Sequence, residues 1–388
     1  MRVDSISTVE ANKQSFTLGI CSVAHFVNDG LDMVLPVILP LLVSRYNLTF
    51  FEAGMILTCY SATSVFSQPL IGYISDLTGY KKIYLASGLT LMGLSLFSIQ
   101  FATSLILIFP LTFLAGLGFS IYHPISMSMI NTAYVERRGF GLGFHGLGGS
   151  LGRGVYPAIL GVLLATYGLS GSLLLTLATG LLAGVLALNL PRWGGAGVSK
   201  RSIVTSMNLI ILVGVIFLFR TLFYSGIVSF TPTFLVRELK MDLASAGIST
   251  SLILIFGVVS QPIGGYFSDK FGRRNVLALS CLFMGLFLIL FLATPYPISL
   301  VALSISGFWM FLGFPLPYAV IGDHVQEESL STSLDLISGF SGVGSMIGPI
   351  LVGRLGDQFG LGNGMLAASS FALASAALSI LLPRPSRR

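Results

Sequence analysis

Long uninterrupted runs of apolar residues alternate with short polar segments along the chain. No Asp, Glu, Lys or Arg occurs in the 53 residues between Lys82 and Glu136, or in the 48 residues between Arg274 and Asp323. A membrane-spanning helix needs about 20 mostly apolar residues, so each run accommodates two spans and a turn. Backbone groups in lipid must find their hydrogen bonds within their own segment, and the spans are therefore predicted to be helices.

The whole pattern predicts an all-α membrane protein with twelve transmembrane helices. The predicted spans are 16–44, 51–74, 83–101, 104–131, 140–166, 168–190, 203–236, 245–267, 275–293, 297–322, 331–356 and 361–382. Composition supports this prediction, because only 9% of the residues are charged whereas soluble domains carry roughly 25%. A surface so poor in charge is predicted to face the lipid bilayer.

Basic residues predict the orientation. With a cytoplasmic N-terminus, 15 of the 21 Lys and Arg residues fall in cytoplasmic segments and 4 fall in outer loops. Positive charge is retained on the cytoplasmic side of membranes, so we expect a multi-pass protein of the cell membrane with both termini inside. The net charge of +6 is explained by this bias, and no nucleic-acid partner is predicted. We expect a monomer.

The chain contains an internal repeat. Residues 67–76 (SQPLIGYISD) recur as residues 260–269 (SQPIGGYFSD), with seven of ten positions identical at an offset of 193. Gly54 and Gly247 share that offset, and Pro157 and Pro349 match it within one residue. We therefore predict a six-helix bundle over 1–190, a cytoplasmic linker over 191–202 and a second six-helix bundle over 203–388. Transporters built from such repeats bind solute between the two halves and rock around it.

The repeated segment resembles a known family. Residues 72–82 and 265–274 resemble the loop motif G-x-x-x-D-x-x-G-[RK]-[RK] of the major facilitator superfamily, and residues 136–139 resemble its E-x-x-R-G sequence. The resemblance implies the fold of that superfamily and solute transport by alternating access. It also implies a gating network in which the motif acids face helix N-termini of the opposite half. The gating candidates are Asp76, Lys81, Lys82, Asp269, Arg273, Arg274, Asp335, Glu136 and Arg138.

Other segments resemble the fosmidomycin-resistance branch of efflux proteins. Residues 25–29 (HFVND) resemble its H-x-x-N-D sequence, and residues 122–124 (YHP) resemble its aromatic-His-Pro sequence. Gly148-Gly149 with Pro157, and Arg220 with Tyr224, resemble parts of its fifth and seventh helices. The chain departs from that branch at Ile125, Ser128 and Arg153.

One face of the first span carries ionisable groups. His25, Asp29 and Asp32 are spaced i, i+4 and i+7, and Asn28 adjoins them, so all lie on one side of a helix. Charged groups in membrane spans are costly and are associated with substrate or proton pathways. We hypothesise that Asp29 and Asp32 carry coupling protons with His25 as a relay. The alternative is that both acids only form structural pairs with Arg153 and Arg220.

Two arginines within spans suggest an anionic solute. A guanidinium binds carboxylate, phosphate or phosphonate groups through paired hydrogen bonds. The alternative is that each arginine neutralises an aspartate of the first span. The candidate solute-binding residues are Arg153, Arg220, Tyr224, His123, His145 and Asn28. Two further acids have local interpretations: Asp335 is a gate residue or a proton carrier, and Asp357 is expected to pair with Arg354.

The leading prediction is a secondary transporter that exports a drug-like or organic anionic solute in exchange for protons. The alternative is proton-coupled uptake of a small organic anion. A membrane receptor or membrane-embedded enzyme is disfavoured, because the matched halves and the small loops fit neither, and the chain is predicted not to be an enzyme. No P-loop and no paired Cys or His spacing occurs, so no cofactor and no metal are expected.

Overall fold

Helices make up the part of the chain that the computed structural model describes, which is residues 8–191 and 206–383. Most of the predicted linker, together with both chain ends, lies outside these ranges. A short 3-10 turn, Ile99–Phe101, follows α4. The helices are α1 (Thr8–Asp32), α2 (Val34–Tyr46), α3 (Phe50–Thr78), α4 (Lys81–Ser98), α5 (Leu105–Ala133), α6 (Arg138–Ala187), α7 (Met207–Arg237), α8 (Leu243–Ile255), α9 (Gly257–Phe271), α10 (Arg273–Ala293), α11 (Ile298–Leu312), α12 (Leu316–His324), α13 (Glu327–Phe359) and α14 (Leu361–Ser379).

The helices match the predicted membrane spans. Ten stretches are long and apolar enough to cross a membrane by length and composition. The longest of them, α6, divides at Gly168, whose φ of 65° and ψ of −172° interrupt the helix. Helix α3, with 29 residues, coincides with the predicted span 51–74. The described helices are therefore consistent with twelve spans, and the protein is an all-α multi-pass membrane protein.

Three predicted spans are broken helices, which the hydrophobic pattern did not show. The first span consists of α1 and α2, the eighth of α8 and α9, and the tenth of α11 and α12. The third break covers residues 313–315, where Pro315 has no backbone N–H to continue the helical ladder. Hydropathy reports the length of an apolar run but not its backbone continuity, so these breaks are found only in the structure.

The described chain forms two compact units. The first comprises the described residues within Met1–Met33, Thr63–Tyr156 and Tyr167–Val198, and the second those within Val34–Ala62, Pro157–Thr166 and Ser199–Arg388. The first thus contains α1, α4, α5 and most of α6, and the second contains α2 and α7–α14. The division into bundles 1–190 and 203–388 derived from the repeat stays a prediction.

The repeat-related glycines make matching contacts inside the second unit. A Cβ atom on Gly54 would lie 2.6 Å from the carbonyl oxygen of Pro349. A Cβ atom on Gly247 would lie still closer to the carbonyl oxygen of Pro157. Real Cβ atoms essentially never come within 3.0 Å of such atoms, so glycine is required at both positions. The internal sequence repeat therefore corresponds to two equivalent close helix contacts.

Candidate functional site

The polar face of α1 is buried in the first unit. The exposed fraction is 6% for Asp29, 9% for His25 and zero for Asn28. Burial of an ionised carboxylate without partners is strongly unfavourable, so these side chains need compensating groups from neighbouring helices. The compensating groups come from α5 and α6. This agrees with the prediction that the polar face of the first span does not point at lipid.

Glycines allow α6 to approach this face. A Cβ atom on Gly152 would overlap the carbonyl oxygen of Phe26, and one on Gly148 would overlap that of Ser22. Small residues let two helix backbones come close in membranes. The contact between α1 and α6 at Gly152 places the next residue, Arg153, beside the carboxylates of α1.

Arg153 bridges both aspartates of the first span. Its Nη2 atom lies 3.2 Å from Oδ2 of Asp29 and 3.3 Å from Oδ2 of Asp32. The side chains of Arg153 and Asp32 are 20% and 19% exposed, and that of Asp29 only 8%. The structure thus contains the Arg153 pairing that the structural alternative anticipated. It also leaves two carboxylates against one guanidinium.

Three histidines surround the Asp29 carboxylate. Nδ1 of His25 lies 2.8 Å from the carbonyl oxygen of His145, and Nε2 of His25 lies 3.5 Å from Oδ2 of Asp29. Nε2 of His123 lies 3.4 Å from Oδ1 of the same carboxylate. The rings of His25 and His145 stack with centroids 4.3 Å apart. The predicted candidates His25, His123 and His145 therefore form one cluster with Asp29.

The hydrogen bonds of His25 define where a proton belongs. A carbonyl oxygen only accepts, so Nδ1 must carry the hydrogen that faces the carbonyl of His145. A neutral His25 then turns the lone pair of Nε2 toward the Asp29 carboxylate, and two acceptors face each other. One additional proton, on either Nε2 or Oδ2, converts this repulsion into a hydrogen bond. The geometry therefore provides a place for one proton shared by His25 and Asp29.

Asn28 and Tyr122 complete the surroundings of the cluster. Nδ2 of Asn28 lies 3.2 Å from Oδ1 of Asp29 and 3.4 Å from Nε2 of His123, while Oδ1 of Asn28 is buried without a hydrogen-bond partner. The hydroxyl of Tyr122 donates to the carbonyl oxygen of Cys21, and its ring lies 5.4 Å from that of His25. In the sequence, only the resemblance of residues 122–124 to an aromatic-His-Pro motif marks Tyr122.

The same cluster contains side chains that could serve as ligands of a metal ion. His25, Asp29 and His123 each offer one ligand atom, and these atoms lie within 4.8 Å of one another. Arg153 already contacts Oδ2 of this carboxylate, and a cation would compete with its guanidinium for the same charge. We therefore assign no metal to the cluster.

Arg220 is held differently, inside the second unit. Its side chain is 1% exposed, and its Nη2 atom donates to the carbonyl oxygen of Met310. The ring of Tyr224, one turn further along α7, packs against Phe311 with centroids 5.8 Å apart. No described carboxylate of the second unit lies at ion-pair distance from Arg220, and the alternative in which it neutralises an aspartate of the first span stays a prediction. A break in the neighbouring helix frees a carbonyl group that binds this guanidinium.

The two copies of the loop motif each contain local ion pairs. Nζ of Lys81 lies 3.0 Å from Oδ1 of Asp76. In the second copy, Arg273 pairs with Asp269, and its Nε lies 3.1 Å from Oδ2 of Asp323. Asp323 is a partner that the motif did not include. Its signal in the sequence was its place as the first acid after a 48-residue uncharged run.

The other gating candidates lie at the surface or bind backbone carbonyls. Lys82 donates to the carbonyl of Leu188 and Arg274 to that of Leu382. Glu136, Arg138 and Asp335 are exposed, as is Asp269 of the second loop motif. The predicted contacts of the motif acids with helices of the opposite half stay predictions.

The predicted ion pair between Arg354 and Asp357 is wrong. The Asp357 carboxylate accepts hydrogen bonds from the backbone N–H groups of Phe50 and Phe51, at 2.7 Å and 2.9 Å. The Arg354 guanidinium lies over the ring of Phe51, 5.9 Å from its centroid. The first N–H groups of a helix have no partner within the helix, and a carboxylate is stabilised at that end. Asp357 therefore caps α3 from the last turns of α13.

Comparisons with known proteins agree with this architecture. The sequence profile of the Major Facilitator Superfamily matches residues 21–204 and 209–388. The Fosmidomycin resistance protein of Escherichia coli (strain K12) is 28% identical over 284 residues, which cover 70% of this chain and 69% of that protein. The uncharacterized MFS-type transporter YfnC of Bacillus subtilis (strain 168) is 27% identical over 383 residues, covering 94% and 91% of the two chains.

A solved structure shares the fold. The inward-facing, unoccupied crystal structure of a bacterial homologue of the human lysosomal transporter Spinster superposes with a TM-score of 0.81 at 16% identity, covering 97% of this chain and 99% of that one. The family consists of transporters rather than enzymes. The chain is a member of the major facilitator superfamily and resembles its fosmidomycin-resistance branch.

Proposed function

We propose that this protein is a secondary active transporter that exchanges protons for an organic anionic solute by alternating access, and that it exports the solute. The observation that carries the proposal is the shared-proton geometry of His25 and Asp29. A neutral His25 and an ionised Asp29 face each other with two acceptors, Nε2 and Oδ2, 3.5 Å apart. A hydrogen bond between these two atoms forms only when one of them carries a proton.

The charge balance of the cluster supports proton coupling. Asp29 and Asp32 contribute two negative charges, Arg153 contributes one positive charge, and the three histidines are neutral when singly protonated. Two carboxylates therefore share one guanidinium at a largely buried position, where their mutual repulsion is unfavourable. A single proton lowers this repulsion, so the cluster gains a proton when it opens to acidic water and loses it on the other side.

Arg153 links the proton to the solute. In the deprotonated cluster the guanidinium is held by both carboxylates, at 3.2 Å and 3.3 Å. Protonation of Asp29 weakens one of these attractions. The anionic solute and the carboxylates of α1 thus share this guanidinium, so solute binding and proton binding affect each other, with His123 and Asn28 as neighbouring polar groups. In this scheme Asp29, Asp32 and His25 couple the proton, and the loop-motif ion pairs of Asp76 and Asp269 act as gates.

Two observations favour export of an organic anion. The Escherichia coli relative is named as a fosmidomycin resistance protein, and resistance conferred by a membrane transporter fits removal of a compound from the cell. Two guanidiniums, on Arg153 and Arg220, are also buried or half-buried within the interior of described helices, away from the helix ends. Proton-coupled uptake of a small organic anion is the second candidate, because the same proton site serves transport in either direction.

The experiment is solute-coupled proton movement in proteoliposomes, with a pH-sensitive dye inside and fosmidomycin as the probe solute, chosen for the relative's name. We expect fosmidomycin to move protons in wild-type vesicles. The Asp29→Asn variant should lose this proton movement but keep exchange of labelled for unlabelled fosmidomycin. Asp242→Asn, at an exposed acid outside the spans, is the matched control and should behave as wild type. Proton movement in Asp29→Asn equal to wild type would show that the coupling site is elsewhere.

A further inference from the structure

Arg220 carries a buried charge that the proton cluster does not use. The side chain is 1% exposed, and within the second unit no described carboxylate lies at ion-pair distance from it. Its Nη1 atom contacts the thioether sulfur of Met284 at 3.7 Å, and its Nε atom is buried without a hydrogen-bond partner. A guanidinium offers five N–H donors, and a thioether is a weak acceptor. Among the described residues of the second unit, no carboxylate therefore balances the charge of Arg220.

The break between α11 and α12 positions this guanidinium. The N–H of Phe314 bonds to the carbonyl of Phe311 at 3.1 Å instead of to that of Met310, four residues back. The Met310 carbonyl is consequently available to accept from Nη2 of Arg220. A Cβ atom on Gly313 would lie 3.5 Å from this Nη2 atom, so the guanidinium sits directly beside the break. Broken helices of this kind commonly form solute sites in transporters.

The break adds further attraction for a negative charge. Helix α12 begins just beyond it, at Leu316, and the N-terminal end of a helix carries a partial positive charge. The guanidinium of Arg220 lies beside Gly313, three residues before this helix start. Both favour an anion, and neither is matched by an acidic side chain described in the second unit.

Aromatic rings surround the same guanidinium. Cζ of Arg220 lies 6.0 Å from the centroid of the Phe314 ring. Phe217 packs edge-on against Phe314 at 6.1 Å and against Tyr318 at 5.3 Å. A flat ring bound beside Arg220 would therefore find edge-to-face partners. Small hydrophilic anions would gain nothing from these rings.

We propose that Arg220 and the break at residues 313–315 form a binding subsite for an aromatic organic anion that carries its charged group next to the ring. This inference rests on the proposed transport of an organic anion and specifies the class of solute. The sequence predicts the same anion-binding role for Arg153 and Arg220, and this inference gives them different roles. Arg153 is already bridged between two carboxylates, whereas Arg220 faces a carbonyl, a thioether and a ring, so a single guanidinium provides the permanent anion contact.

The test is equilibrium binding of radiolabelled benzenesulfonate to the purified full-length protein. Methanesulfonate retains the charge without the ring, and benzenesulfonamide retains the ring without the charge, and both serve as competitors. We expect unlabelled benzenesulfonate to compete about tenfold better than methanesulfonate, because only benzenesulfonate makes the ring contacts. Benzenesulfonamide should compete still more weakly. Equal competition by all three compounds, or no benzenesulfonate binding, would overturn the proposal.

Substitutions locate the site. Arg220→Gln should weaken benzenesulfonate binding about ten- to a hundredfold, because charge-assisted hydrogen bonds are lost, and Arg220→Lys should lose less because the charge stays. Phe314→Leu should lower the preference for benzenesulfonate over methanesulfonate and leave methanesulfonate binding unchanged. Arg237→Gln, at the other end of α7, is the control. Unchanged binding in Arg220→Gln contradicts the inference, and the Phe314 variant tests it even where Arg220 variants fold poorly.

The two proposals fail in different ways. Benzenesulfonate binding that depends on Arg220, together with unaltered proton movement in the Asp29→Asn variant, would retain the subsite and reject the proton mechanism. Fosmidomycin-driven proton movement that persists at wild-type level in Arg220→Gln, without Arg220-dependent benzenesulfonate binding, would reject the subsite and retain proton coupling.

Discussion

Removal of the Arg153 charge tests the charge balance of the first unit. In Arg153→Gln, the carboxylates of Asp29 and Asp32 lose the guanidinium that contacts them at 3.2 Å and 3.3 Å. Loss of one partner from a buried ion pair costs about 3–5 kcal/mol. Because the Arg153 side chain is 20% exposed, we expect the lower end, about 3 kcal/mol, with solvent screening reducing it further.

The magnitude can be checked by thermal unfolding of purified variants in one detergent. About 3 kcal/mol should lower Tm by on the order of 5 °C. The double variant Arg153→Gln/Asp32→Asn again has one more negative than positive charge among these three groups, as the wild type has, so its Tm should return close to that of the wild type. The coupling between the two substitutions is then about 1–3 kcal/mol, as for residues in one charge network.

The pH dependence gives the sign of the effect. Two carboxylates without a guanidinium are relieved when one of them takes up a proton, so the deficit of Arg153→Gln should shrink as the pH is lowered. Arg237→Gln, which removes a guanidinium that lies over the ring of Phe50, is the control and should show no such pattern. Additive Tm changes in the double variant, or a deficit independent of pH, would refute the charge balance.

Three further predictions concern packing and capping. Gly152→Leu should reduce the yield of folded protein because the added side chain meets a backbone carbonyl, while Gly146→Leu, in the same helix with nothing within 4 Å, should not, as measured by size-exclusion chromatography. Asp357→Ala should lower thermal stability by about 1 kcal/mol through loss of the α3 cap, and an unchanged Tm would contradict that role. Hydrogen bonds from Ser245 to Asp242 hold the pKa of this carboxyl below its ordinary value of 3.8. Asp242→Ala should therefore lower Tm at neutral pH and have progressively less effect as the pH falls below that value, since protonation removes the cap from the wild type as well.

Much of the membrane architecture could be predicted from the sequence. Runs without charge located the twelve spans, because lipid excludes ionised groups wherever no partner is available. The i, i+4, i+7 spacing correctly placed His25, Asp29 and Asp32 on one buried face, since helical geometry is fixed by the backbone. The offset of the repeat relates Gly54 to Gly247, and the structure shows that both lie in close helix contacts.

Other features depend on which atoms the fold brings together. The proton-sharing geometry depends on the backbone carbonyl of His145, and carbonyl groups are identical in every residue and leave no sequence signal. The partners of Arg220 depend on a helix break that hydropathy does not report. The sequence predicted that Asp357 pairs with Arg354, the nearest cation. The Asp357 carboxylate instead binds the N-terminus of α3, which is over 300 residues away in the sequence and provides two N–H donors.

The most direct test of the central claim is detection of the proton shared by His25 and Asp29. Infrared difference spectroscopy of protein with ¹³C-labelled aspartate, recorded as the pH is varied, reports changes at the carboxyl groups without any solute. We predict one pH-dependent aspartate signal in the wild type that is lost in Asp29→Asn and altered in His25→Gln. A signal that survives in Asp29→Asn, or an Asp29 signal indifferent to His25, would contradict the account.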